Sequence, residues 1–136
     1  MMNEPGSDGA VPTEIRVRRV ARTLEVDFAD GAQAVLPAEY LRVESPSAEV
    51  QGHHPSERKT IPGKRGVNIA AVEPIGHYAV RIRFSDGHDT GIYTWVYLRS
   101  LHEEHAVRWA AYLEALAAQG MQRGPEPTPP VAVDRP

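Results

Sequence analysis

Apolar and polar residues alternate through "EIRVRRVARTLEVDFADGAQAVLPAEYLR" in three short runs: Ile15 and Val17, then Leu24, Val26 and Phe28, then Ala32, Ala34 and Leu36. A period of two puts each run on one face of a half-buried strand. Ala29-Asp30-Gly31 between the second and third runs is a tight-turn sequence, with Gly31 free to take a positive φ. The first half of the chain is therefore predicted to be a meander of antiparallel strands.

The pattern returns in "YAVRIRFSDGHDTGIYTWVYLR", where Val80, Ile82 and Phe84 precede Asp86-Gly87 as Val26 and Phe28 precede Asp30-Gly31. A Tyr-Leu-Arg follows each turn, at Tyr40-Leu41-Arg42 and Tyr97-Leu98-Arg99, with an offset of 56 residues at the turn and 57 at the tyrosine. This predicts two pseudo-repeated hairpin units, each ending in a short helical turn; two Asp-Gly hairpins that look alike by chance are the competing explanation. "VNIAAVEPI" reads as a further strand.

From Ser100 the period lengthens. Leu101, His105, Trp109, Tyr112 and Leu116, at spacings of three and four, make one helix face. Ser100 with Glu103 forms a capping box and Gly120 suits the position just past the helix end. Strands followed by a terminal helix that packs on the sheet give the α+β class: a small β-rich domain of antiparallel hairpins.

Residues 1–12 and 121–136, rich in Gly, Pro and small residues, are expected to be disordered tails around one folded domain at 13–120. Between the two patterned halves lies "RVESPSAEVQGHHPSERKTIPGKRGVNI", which has no apolar period. Irregular stretches longer than about 15 residues are commonly functional or disordered.

Composition narrows the chemistry. The chain has 136 residues, 41% of them hydrophobic and 24% charged, and no cysteine, which excludes disulfides, thiolate metal sites and thiol nucleophiles. The N-terminus has neither a basic start nor an apolar run, and no stretch approaches a membrane span, so a cytoplasmic protein is expected. Net charge is −3, which gives no general reason to bind nucleic acid or acidic membranes. Residues 51–83, however, carry 6 basic and 2 acidic side chains, while the regions on either side are net acidic.

No reactive motif is complete. His102-Glu103-Glu104-His105 spaces its histidines i, i+3 where a zinc-protease helix needs i, i+4, so His105 reads as a packed or rim histidine. "PGKRG" sets Lys64 and Arg65 between glycines, but no Ser or Thr follows the lysine and a strand, not a helix, comes next. It reads as a solvated basic turn or a contact for an acidic partner. Ser45 and Ser47 lack a nucleophile elbow and read as turn residues beside Pro46. His88 and Asp89 lack the spacing of a facial-triad iron site. Tyr93, Trp95 and Tyr97 sit in a net acidic region, which favours a core aromatic cluster over a nucleic-acid stacking platform.

"TLEVDFADG", "LPAEYLRVESPSAEVQGH", "GKRGVNI" and "VEPIGHYAVRIRFSDGHDTGIYTWVYL" together resemble the small bacterial family related to the N-terminal domain of gamma-butyrobetaine hydroxylase, a former domain of unknown function, from about Thr13 to Leu101. The resemblance implies a compact β-rich domain. In hydroxylase relatives this domain precedes a separate iron and 2-oxoglutarate catalytic domain, and related domains are attached to Mrp-type P-loop ATPases of iron-sulfur assembly. Neither partner domain fits in this chain, so catalytic residues do not carry over. Metal-bearing relatives have Cys-Pro-Cys-x-x-Cys and a histidine beyond the Asp-Gly turn. Here the matching positions are Ser45, Ser47 and Val50, with His88 retained. Hydroxyls and a valine do not replace thiolates, so neither a metal nor any other cofactor is expected.

The leading expectation is a non-catalytic binding or accessory module that meets an as yet unidentified protein through the 45–65 loop and the His88 turn. Its candidate surface is His53, His54, Arg58, Lys59, Lys64, Arg65, His88 and Asp89. Two other functions stay open: an accessory factor in iron-sulfur or metalloenzyme assembly, acting with a separate P-loop ATPase or oxygenase, and an enzyme whose site would draw on His53, His54, His88 and Asp89.

Overall fold

The structure, a computed structural model, describes residues 11–52 and 54–126. Two three-stranded antiparallel sheets are each followed by helix. The first contains β1 (Pro12–Arg18), β2 (Thr23–Phe28) and β3 (Gln33–Pro37), in that order across the sheet, and leads into α1 (Ala38–Val43). The second contains β4 (Ile69–Ile75), β5 (Ala79–Phe84) and β6 (Gly91–Thr94) and leads into α3 (Trp95–Glu103) and α4 (His105–Ala118). Between them lies a short helix, α2 (Ala48–Gln51), and a single 3₁₀ turn at Pro55–Glu57. Among the described residues no helix is long and apolar enough to cross a membrane.

The pseudo-repeat holds down to individual hydrogen bonds. In the first turn Phe28 N–H donates to Ala32 O, Gly31 N–H to Phe28 O, and Ala32 N–H to Asp30 Oδ1; in the second Phe84, Gly87 and His88 donate to His88 O, Phe84 O and Asp86 Oδ1. Gly31 and Gly87 have φ of 94° and 92°, a region that side chains with a Cβ rarely enter. Leu24, Val26 and Phe28 bury the same strand face as Val80, Ile82 and Phe84, and all six belong to one core shared by both sheets.

The two units also clasp each other reciprocally. Tyr40 Oη donates to Leu101 O at 2.7 Å, and Tyr97 Oη donates to Glu44 O at 2.5 Å, so each unit's tyrosine reaches the helix end of the other. Arg42 bonds Asp86 in the second turn at 2.8 Å, and Arg99 bonds Asp30 in the first at 2.9 Å. The repeated Asp-Gly and Tyr-Leu-Arg motifs are thus the two ends of one duplicated contact.

The single helix expected from Ser100 is broken and starts earlier. Thr94, not Ser100, caps it, accepting from Tyr97 N–H at 3.0 Å. The Leu101 carbonyl would accept from the amide four residues on in a continuous helix. It is instead where Tyr40 Oη donates; the helix breaks at Glu104, and the next residue, His105, stacks its ring on Tyr40 at 4.3 Å. Leu98 and Leu101 pack α3 on the sheets, while Tyr112 and Leu116 of α4 close a smaller cluster with Val43, Ile61 and Met121. Residues 121–126, expected to lie in a C-terminal tail, pack on the domain instead. Gly63 N–H donates to Gln122 O, Arg65 N–H to Arg123 O, and Arg123 forms a two-pronged pair with Glu39. The N-terminal tail expected over residues 1–12 also overlaps the fold, since Ala29 N–H donates to Val11 O and Pro12 opens β1; residues 1–10 and 127–136 lie outside the described residues.

Candidate binding site on the 45–65 loop

The loop after α1 folds against the second turn. Ser45, fully buried, has its hydroxyl 2.9 Å from His88 Nε2 and also accepts from Ser47 N–H. The opposite ring nitrogen, Nδ1, lies 3.3 Å from Glu49 Oε1 on α2. Burial, and then the Arg42 charge, hold the His88 imidazole below its usual value, against weaker pulls from Glu49, Asp86 and Asp89. A neutral ring fits every contact: Nδ1–H donates to Glu49 and Nε2 accepts the Ser45 proton. Gln51 Nε2 then ties α2 back to Ser45 O at 2.8 Å.

Glu49, His88 and Ser45 have the connectivity of a hydrolytic triad but not its access. A Cβ at Gly91 would lie only 2.6 Å from Ser45 Oγ, so the β6 backbone walls the hydroxyl in and leaves no room for a substrate carbonyl. The arrangement works as a latch. It is also unsuited to zinc: at the positions matching the Cys-Pro-Cys-x-x-Cys and histidine of metal-bearing relatives stand two hydroxyls, the methyls of buried Val50 and one imidazole whose Nε2 is already occupied. Ser47 Oγ is buried without a partner among the described residues, yet a neutral hydroxyl beside a valine cannot supply the thiolate charge a Zn²⁺ site needs. Among the described residues, no group of three His, Cys, Asp or Glu side chains could hold a metal ion.

The basic end of the loop meets acids of the chain itself. Lys64 Nζ lies 2.6 Å from Asp86 Oδ2, the oxygen that Arg42 also engages. Burial alone would raise the Asp86 carboxyl, but the Lys64 contact, the His88 amide and Arg42 bring it down to about 2. Arg65 pairs with the exposed Glu126 at 3.3 Å. Arg58 reaches Glu44, whose side chain is nearly inaccessible and also receives Arg108 from α4, at 2.8 and 3.0 Å. Lys59 N–H donates to Val50 O, but its ammonium has no partner among the described residues.

Of the expected surface residues, then, His88 is buried and Asp89 half-buried beside it, while Arg58, Lys64 and Arg65 are tied into ion pairs. His54 and Lys59 are exposed, and His53 lies outside the described residues. Sequence reasoning missed Glu44, Glu49, Gly91 and Arg108. Glu44 could have been found: it sits where Leu101 does in the second unit, an acid aligned with a core leucine.

Arg58, Lys59 and Arg108 rim a cleft of about 350 Å³ between the loop and α4. Its floor is Val43, Ala111, Tyr112 and Ala115, and Thr60 Oγ1 at one side accepts from Gln119 Nε2.

Solved structures share this architecture. One NMR solution structure is 41% identical over 98% of each chain, with a TM-score of 0.76; another is 42% identical over 87% of this chain and 93% of that one, with a TM-score of 0.73. A crystal structure from Acidithiobacillus ferrooxidans, of a protein of unknown function in the DUF971 family, is 45% identical over 71% of this chain and 97% of that one, with a TM-score of 0.61. No curated protein matches. The model of the family described as gamma-butyrobetaine hydroxylase-like, N-terminal, matches residues 15–99, more than half of the sequence, and the chain belongs to that family.

Proposed function

We propose that the protein is a non-catalytic accessory module of the cytoplasm that binds a partner protein through the 45–65 loop. The observation that carries this reading is the way the loop is mounted. Its two ends are fixed, at Ser45–His88 and Lys64–Asp86, while His54 and Lys59 between them face outward. A segment anchored at both ends with polar side chains projecting from its middle loses little further entropy on binding. The absence of an accessible nucleophile at Ser45, described above, supports a role without chemistry of its own.

Replacing residues 52–60 with a Gly-Ser linker, which spares both anchors, tests the reading. Affinity capture from the native lysate is expected to lose the proteins that the intact chain retains. An unchanged set of captured proteins would overturn it.

A further inference from the structure

We propose that the cleft between the loop and α4 is a binding site for a small monocarboxylic acid with an apolar body. This inference rests on the loop being the recognition surface and names a ligand that surface would take. Three cations, Arg58, Lys59 and Arg108, stand at the rim. Arg58 and Arg108 are positioned by Glu44, which lies behind them with its side chain only 4% exposed, and Arg108 Nε is further held by Glu104 at 2.9 Å. Arg108 is also stacked over the Tyr97 ring, 5.6 Å from its centroid, and Tyr97 is itself hydrogen-bonded to Glu44 O. The guanidinium groups therefore arrive preorganised. The Lys59 ammonium has no partner among the described residues and is free to take an anion beside them.

The rest of the cleft selects the kind of anion. Its floor is built from Val43, Tyr112 and the methyl groups of Ala111 and Ala115, which suits hydrocarbon and not a hydrated phosphate. Glu44 and Glu104 already balance two of the three rim cations, so one net positive charge remains, which a single carboxylate neutralises and a dianion exceeds. A single carboxylate at the rim with its chain along α4 meets both conditions. A volume of about 350 Å³ has room for about a dozen water-sized groups, which accommodates a chain of several carbons.

The test is an amide NMR titration of the full chain with hexanoate, hexanamide and inorganic phosphate. Hexanoate is expected to give saturable shifts at Lys59, Thr60, Ala111 and Ala115, at least tenfold tighter than hexanamide, with no such shifts from phosphate. Lys59→Glu reverses a rim charge that has no internal partner, and Ala111→Glu places a carboxylate in the cleft from an exposed helix position. Each is expected to weaken hexanoate at least tenfold while the rest of the spectrum stays in place. Equal affinity for hexanoate and hexanamide, stronger binding of phosphate, or no saturable shift at these four amides would overturn the proposal. If hexanoate fails while loop-dependent capture of a partner persists, only this inference falls. If both fail, the loop is not the recognition surface.

Discussion

The two halves share a frame and differ in what is hung on it. Each has a β-hairpin with the same Asp-Gly turn, a helix that carries Tyr-Leu-Arg, and an arginine that crosses to the other half's turn. The first turn continues with Ala32, which packs partly buried against the shared core. The second continues with His88, and the chain leaving α1 folds down onto it. A duplicated unit needs both copies for its core, but only one copy has to carry a surface, and here the elaboration is entirely on the second turn.

The largest expected effect tests the shared frame. Phe28 and Phe84 occupy equivalent, almost inaccessible positions, so truncating either to Ala should cost about 3–5 kcal/mol in urea unfolding. Unequal costs would show that the two halves do not contribute equally to the shared core.

Breaking the crossed ion pairs should separate the halves. Arg42 is more buried than Arg99, and its partner Asp86 more buried than Asp30. Arg42→Ala is expected to cost about 2 kcal/mol, the loss of a charge-assisted hydrogen bond in a sheltered site. Arg99→Ala should cost less, because its pair is more open to solvent screening. The reverse order would mean that the sheltered side is not where the clasp matters.

A smaller effect isolates the latch. Ser45→Ala leaves His88 Nε2 buried without its partner and is expected to cost about 1–2 kcal/mol. Trypsin cleavage at Arg58 and Lys59 should accelerate more than global unfolding does, since the loop loses an anchor while the frame keeps its own.

The mildest perturbation is pH. Burial, then Arg42, hold the folded His88 below the usual value of 6.5, so below that value the unfolded chain binds more protons than the folded one. The latch contribution is complete above pH 6.5 and lost as pH falls through the depressed value. His105, lowered by burial and then by His102, contributes with the same sign. His88→Gln should flatten this part of the pH–stability curve and leave the His105 share, whereas an unchanged slope would mean that His88 titrates as if exposed.

The strands, both turns and the pseudo-repeat were legible because period two, Asp-Gly and Tyr-Leu-Arg are local signals. The reciprocity of the clasp was not, since nothing in either motif says that Arg42 pairs with Asp86 instead of its own turn. The helix break escaped for the same reason: the 100–120 periodicity is continuous, and the Tyr40 hydroxyl that ends the first segment lies 61 residues away. In the loop, the mismatch of Ser45, Ser47 and Val50 with the Cys-Pro-Cys-x-x-Cys of metal-bearing relatives could be read only through the family resemblance. The latch in their place could not be read, because Glu49 lies on a four-residue helix too short to carry a period, and Gly91 matters only through its closeness to Ser45. The basic run looked like a free surface because its acids, Glu44, Asp86 and Glu126, are scattered along the chain.

Amide hydrogen exchange across the loop, in excess chelator, bears most directly on the claim that hydrogen bonds hold it in place of a metal. The amides of Val50, Gln51, Gly52 and Lys59 all donate within the loop and should stay protected whether or not chelator is present, with His88→Ala lowering their protection. Loss of that protection on chelation in the unsubstituted chain, or no change in His88→Ala, would contradict it.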